Sequence, residues 1–345
     1  MSGAARLRWM FNRLCCMSPA EIGWRLRQSA IGQLEQRGVL DLRAPPPYAG
    51  ARTWLSGAAP PLGPGERQAL LADADHICAG HVTLFADRRF DVGPLPEWNR
   101  DPDTGVLGPA GFSGAIRVTD RSQVGDIKHL WELNRHLQLV RLAQAALVSG
   151  DPVYLRTLAA QLRGWLDQSP PQRGPNWTSG LELGIRLINW SLVWQLAGGE
   201  ASALFGGEGG ARLREDWLAS IHAHCRWLAR HLSRHSSANN HLIGELAGLY
   251  VAASTWPCWK EMAGWRTLAM HELEEQAQLQ YSRDGVNREQ AFAYHIFSAE
   301  FLFVAGMVGQ VHARPFSRAY WEVLQRALRF LRSARDAGGH LPQVG

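Results

Sequence analysis

From about Asp126 onward, the apolar residues fall at helical spacing. Leu130, Leu133, Leu137, Val140 and Leu147 form one stripe, and Leu181, Ile185, Ile188, Leu192 and Leu196 form another. Steps of three and four residues mark one face of an α-helix. The pattern predicts a helix from about 126, a second over 151–167 and a third over 179–196. Further helices fit about 211–232, 239–255, 259–281, 288–312 and 315–335. The joining segments are short and rich in Gly, Pro, Ser or Asn, and no strand-like alternation intervenes. Long helices joined by short loops lie antiparallel to their neighbours, which gives a bundle, a solenoid or a closed toroid. No fixed repeat period is visible, which counts against the common helical-repeat solenoids.

The first part of the chain is less regular. Ser18 followed by Pro19 and Glu21 reads as an N-cap with proline at the first helical position, and predicts a helix to about Gly38. Residues 44–64 hold Pro45, Pro46, Pro47, Pro60, Pro61 and Pro64 and read as loop. Two short β-like pieces follow, His81 to Phe85 and Gly114 to Val118. This divides the chain into residues 1–118, a helix plus irregular segment, and residues 119–337, an all-α domain on which it packs.

The chain has 345 residues, 46% hydrophobic and 19% charged, enough apolar material for a large core. Its net charge of +5 is too mild to argue for nucleic acid. All but two of the 36 basic residues, Lys128 and Lys260, are arginine, the side chain suited to bidentate carboxylate contacts. Five cysteines without CxxC spacing (Cys15, Cys16, Cys78, Cys225, Cys258) read as thiols rather than as a disulfide framework or zinc site. No apolar run approaches the roughly 18 residues of a membrane span. The N-terminus lacks the apolar h-region of a signal peptide.

Candidate chemistry gathers in a few places. Glu182, Arg186 and Asn189 lie at i, i+4 and i+7 and share a helix face, as do Asn134 and Gln138. Such stripes are either solvated outer faces or, beside Trp131, Trp177 and Trp190, the wall of a sugar-binding cleft. Most of the fifteen tryptophans read as core. Asn239, Asn240 and His241 fall in the first turn of a helix, where free N–H groups and the helix dipole favour an anion. An N-cap with a surface histidine is the plainer alternative. Tyr294 and His295 are adjacent, so they point about 100° apart on a helix. Either can serve as a general base or acid, and a core tyrosine with a surface histidine is the alternative. His222, His224 and Cys225 diverge on their helix and make a poor metal site. The Gly206–Gly210 cluster is a turn without a P-loop lysine.

Six stretches together make the chain recognisable. They are MSPAEIGWRLRQ (17–28), WNRDPDTG (98–105), GDIKHLWELNRHLQLVRLAQA (125–145), NWTSGLELGIRLINW (176–190), SSANNHLIGE (236–245) and DGVNREQAFAYH (284–295). The sequence resembles the N-terminal helical domain of the heparinase II/III family. That resemblance implies an (α/α) toroid, often incomplete, followed by a C-terminal β-sandwich. The final residues, 338–345, resemble the linker to that sandwich, which in some members holds a structural metal; no cofactor or metal is expected in this chain. The family includes polysaccharide lyases that act on uronic-acid polymers, such as heparan sulfate and alginate, by β-elimination. Asn240 and His241 match its Asn-His pair, and Tyr294 matches its proton-transfer tyrosine. Trp177, Glu182, Arg186, Asn239, Arg288 and His295 are the expected substrate-binding residues, with Arg186 making the cleft wall positive. The resemblance implies the periplasm, whereas the missing h-region points to the cytoplasm. The rival readings are a glycoside hydrolase, which needs two carboxylates flanking the bond and has Glu245 and Glu289 nearby, and a non-catalytic glycan-binding or exopolysaccharide-assembly protein.

Overall fold

Ser18 accepts a hydrogen bond from the Glu21 amide and starts α1, Pro19–Gln36, in the computed structural model. The structure describes residues 16–55 and 57–343, together with Arg8 and Asn12. Cys15, most of the region read for a signal peptide, and residues 344 and 345 of the expected linker lie outside the described residues. The proline-rich stretch ends in a helix the pattern did not predict, α2, Pro64–Cys78. Pro64 stands at its first position, where the missing N–H costs nothing, and Glu66 closes back on the Gly63 amide at 2.8 Å. A hairpin follows, β1 (His81–Leu84) antiparallel to β2 (Arg88–Asp91). The second β-like piece is not a strand. Ser113–Ala115 is a short 3-10 turn, and Phe112 makes an isolated bridge to Arg173 rather than a ladder.

The helical region is broken where a continuous helix was expected. After α3 (Arg121–Val124), α4 (Ile127–Leu133) stops and α5 (Leu137–Ser149) starts afresh, because His136 adopts a left-handed φ of 66°. The others follow the predicted order: α6 (Pro152–Gln168), α7 (Gly180–Leu196), α8 (Gly207–His231), α9 (Asn240–Thr255), α10 (Lys260–Gln280), α11 (Phe292–Val311) and α12 (Arg318–Ser333). Helices α5, α7, α9 and α11 touch one another in turn as an inner layer, and α6, α8, α10 and α12 back them. This is an incomplete (α/α) toroid. Because direction alternates along the chain, the inner helices run the same way and their N-termini share one pole.

The core is centred on α7 and α9, which are buried nearly throughout. Their backbones nearly touch. A Cβ on Gly248 would sit 2.3 Å from the Gly184 Cα, and one on Gly184 would sit 2.5 Å from the Gly244 carbonyl oxygen. Among the described residues eight tryptophans are buried, and Trp165, Trp190, Trp194, Trp217 and Trp256 meet edge-on or tilted. Helix α11 has the length and apolarity to cross a bilayer, which a search for unbroken apolar runs missed. It carries Glu300, and half of its most apolar window is buried in the protein. Glu245 lies inside this core, accepting from the Ser233 amide at 2.6 Å and hydroxyl at 2.7 Å. Burial pushes its carboxyl pKa up to about 7, against the pull of those two hydrogen bonds.

Two stability outcomes follow from this packing. Gly248→Ala forces backbone against backbone and is expected to lower unfolding free energy by about 3 kcal/mol or more. Gly264→Ala, in a helix with open space around the site, is expected to raise it by about 0.5–1 kcal/mol; denaturant midpoints measure both. Glu245 holds its proton in the folded chain up to about pH 7, well past the ordinary carboxyl value of 4.5. The native state therefore binds more protons than the unfolded state between those values, and stability falls as pH rises through that window. Glu245→Gln should remove this slope and leave the variant more stable at pH 8, by an amount of order 3 kcal/mol. Parallel pH profiles of wild type and variant would contradict the assignment.

Candidate active site at the N-terminal pole

Side chains in or just before the first turns of the inner helices pair at the pole where those helices begin. Arg135, in the break before α5, forks onto Glu182 in the first turn of α7, Nε to Oε2 at 2.8 Å and Nη2 to Oε1 at 3.0 Å. Its Nη1 donates to Glu132. Such bidentate guanidinium–carboxylate pairs fix geometry as well as charge. Burial raises the Glu132 pKa, opposed by Arg135 and assisted by Glu182. The same guanidinium lies 5.8 Å from the ring centre of Phe297 on α11.

The α9 end is built by its own asparagines. Asn239 caps the helix, its Oδ1 accepting from the His241 amide at 2.9 Å. Asn240 is buried and donates twice to Glu289, from its backbone amide at 2.8 Å and from Nδ2 at 2.7 Å. The expectation of free N–H groups here is therefore corrected: those of Asn240 and His241 are already occupied by protein oxygens. His241 is half-buried, and burial lowers its imidazole pKa. Glu182 and Glu289 push it up and Arg135 pushes it down. Tyr294, in the first turn of α11, is 48% exposed. It lies five residues after Glu289, which holds Asn240, and one turn before Phe297, which faces Arg135.

Three expected substrate contacts are overturned. Arg186 has no exposed surface. Its Nε donates to the Asn134 carbonyl at 2.8 Å, and Nη1 meets Nε2 of His224 at 3.0 Å. The guanidinium sits 4.7 Å from the Trp165 ring centre, and burial pulls its pKa down to about 9. Trp177 is also fully buried, tilted against His224 and donating to the Ser169 carbonyl. His295 is buried between Tyr281 and Phe330, its Nδ1 accepting from the Asn287 amide and its Nε2 facing the Ala327 carbonyl. Neighbouring side chains on a helix diverge, and here the tyrosine takes the surface and the histidine the core. Glu182 and Asn239 stand at the pole but are committed to Arg135 and to the helix cap. Arg288 is exposed with no ion pair among the described residues.

Arg135 is the residue that sequence reasoning missed at the pole; Glu289 was named only as a nearby acid, and Trp131 only as one of three tryptophans beside the polar stripes. Trp131 is half-buried and donates to Pro175 and Thr178 just before α7, where an indole was expected from Trp177. A cleft of about 770 Å³ between the hairpin and α5 includes Glu132 in its wall. A larger cavity of about 1030 Å³ lies elsewhere, between α6, α8 and residues 41–44, and its Arg163 and Asp216 are paired to each other. His222 and His224 part as their helix spacing requires, His222 packing against Trp259 and Trp265.

The chain is similar to known proteins over this whole region. A heparin-sulfate lyase of Bacteroides thetaiotaomicron is 28% identical over 178 residues, covering 48% of this chain and 23% of that protein. The crystal structure of heparinase III superposes with a TM-score of 0.63 at 17% identity, covering 89% of this chain and 43% of that one. Heparan sulfate lyase HepC from Pedobacter heparinus gives 0.58 at 17% identity, covering 91% and 45%. The chain thus spans less than half the length of each of these relatives. Residues 97–335, most of the chain and all of the pole just described, match the family described as Heparinase II/III N-terminus, and the chain belongs to the heparinase II/III family.

Proposed function

We propose that this chain is the helical domain of a polysaccharide lyase that cleaves an acidic, uronic-acid-containing polysaccharide by β-elimination. The observation that carries this reading is a fixed amide and a half-buried imidazole in one helix turn, with an exposed phenol in the first turn of the next inner helix. In β-elimination a base removes the C5 proton of the uronate. The C–H electron pair becomes the C4–C5 double bond, the C4–O bond breaks, and the leaving oxygen takes a proton. Negative charge builds on the carboxylate as C5 loses its proton, and donors aimed there stabilise it. Asn240 Nδ2 and His241 are those donors, and Tyr294, as its phenolate, takes the C5 proton and returns it to the leaving oxygen.

The relatives' names favour a glycosaminoglycan of the heparan type. Nothing in the chain favours alginate or a cell's own exopolysaccharide. A hydrolase is disfavoured because the acids at the pole are engaged: Glu182 and Glu132 on Arg135, Glu289 on Asn240, and Glu245 on Ser233 inside the core. The relatives are more than twice as long, and a further domain, a C-terminal β-sandwich, fits as the opposite wall of the cleft. A periplasmic location suits a polymer degraded outside the cytoplasm, and cell fractionation tests it.

The test is ultraviolet absorbance of the 4,5-unsaturated uronate during incubation with heparan sulfate. New reducing ends without that absorbance would mean hydrolysis. Tyr294→Phe keeps the ring and should lower turnover about 10²–10⁴-fold with binding nearly intact. Asn240→Ala should lower it about 10²–10³-fold, and the two losses should not add. A Phe variant with wild-type turnover would remove Tyr294 from proton transfer. The exposed Arg288, in the segment before α11, replaces the buried Arg186 as the proposed polyanion contact. Arg288→Ala should raise KM and flatten its salt dependence, since exposed charges are screened; identical salt profiles would exclude Arg288 as a polyanion contact.

A further inference from the structure

Glu289 stands in the segment between α10 and α11, and its carboxylate accepts two hydrogen bonds from a single residue. Oε1 takes the Asn240 backbone amide at 2.8 Å and Oε2 takes its Nδ2 at 2.7 Å. The segment that carries it is firmly held. The Glu289 amide donates to Asn287 Oδ1 at 2.9 Å, and the Asn287 amide donates to His295. The Arg288 amide donates to the Gln280 carbonyl, and Gln280 Nε2 donates on to the Asn239 carbonyl at 3.0 Å. Gln290 turns the chain with a left-handed φ of 58°, a conformation that a non-glycine residue adopts only where its surroundings enforce it. Glu289 is thus tied to both flanking helices.

A carboxylate has only acceptors, and this decides the orientation of the amide opposite it. The Asn240 NH₂ must face Glu289, because its Oδ1 there would set oxygen lone pairs against a negative charge. One Nδ2 hydrogen is then engaged, and the other has no acceptor among the described residues. A flipped amide would offer Oδ1 to an incoming carboxylate, turning an attraction into a repulsion. The backbone amide of Asn240 is also consumed, so the helix end cannot substitute for the side chain.

We propose that Glu289 is a positioning residue that fixes the amide of Asn240 so that one Nδ2 hydrogen is presented to the uronate carboxylate. The kinetic consequence rests on the lyase reading above; the fixed amide does not. By analogy with partners that orient metal ligands, where loss costs about 10–100-fold, an effect of that order is expected.

The test compares Glu289→Gln, Glu289→Asp and Asn240→Ala in the full chain. Glutamine keeps the shape but has one acceptor oxygen for two donors. Glu289→Gln should lower kcat about 10–100-fold with KM changed less than about 3-fold. Glu289→Asp retains both acceptors and should recover part of the loss. In the Asn240→Ala background, Glu289→Gln should cost nothing further. A second measurement needs no substrate: the side-chain NH₂ resonances of Asn240, identified by their loss in Asn240→Ala. One hydrogen should exchange slowly with solvent in wild type, and Glu289→Gln should abolish that protection. An equal cost with and without Asn240, or unchanged protection, overturns the proposal. If wild type releases no unsaturated product from any uronate polymer, the lyase reading fails, and the exchange measurement decides the positioning role by itself.

Discussion

Buried backbone carbonyls must find donors, and the break between α4 and α5 leaves two of them facing the interior of the domain. Much of the arrangement at this pole answers that demand. Arg186 donates to the carbonyl of Asn134, and Asn189 donates to that of Arg135 at 2.8 Å. One turn nearer the surface on the same helix face, Glu182 grips the Arg135 side chain. Trp190 donates to Nδ1 of His136, whose left-handed backbone makes the break. The polar stripe of α7 is therefore neither a solvated face nor a sugar-binding wall. It is a seam that closes the gap in the neighbouring inner helix, and the seam is what holds Arg135 up at the pole.

The same seam explains why one arginine is structural and another stands at the site. Arg186 and Glu182 share a face, four residues apart, so sequence spacing gives them equal claim to a cleft. Depth separates them. Arg186 is one turn further in, where it meets Trp165 and His224 and has no solvent around it. Arg135 reaches the pole from the break itself but is held between two carboxylates. Among the described residues Arg135 is thus paired, and the donors proposed to meet the substrate are an amide, an imidazole and the exposed Arg288.

The close approach of α7 to α9 sets the position of the remaining members. With glycines at 184, 244 and 248, the two helices pack backbone to backbone, so the first turn of α9 is held at a fixed height beside the first turn of α7. Asn240 and His241 inherit that position. Glu289 reaches across from the segment before α11 and ties that inner helix to them. Rigid elements, not a mobile loop, carry the candidate groups, which suits chemistry that depends on oriented donors.

Apolar spacing and capping residues determined the helices by themselves, because an amphipathic stripe and an N-cap are local properties. The order of the helices from residue 126 onward and the Ser18 and Asn239 starts could be read directly, whereas α2 and the inner and outer layers could not. Family-specific stretches pointed to Asn240, His241 and Tyr294 because those residues sit in contiguous motifs. Other features are not local. A left-handed His136 inside an unbroken apolar pattern, the depth of Arg186 and Trp177, and the inward turn of His295 depend on what lies opposite each residue. So does the pairing of Asn240 with Glu289, 49 residues along the chain. Spacing says which side chains share a face. Only tertiary packing decides whether that face meets water, a ligand or another helix, since burial and hydrogen-bond partners belong to the neighbour as much as to the residue.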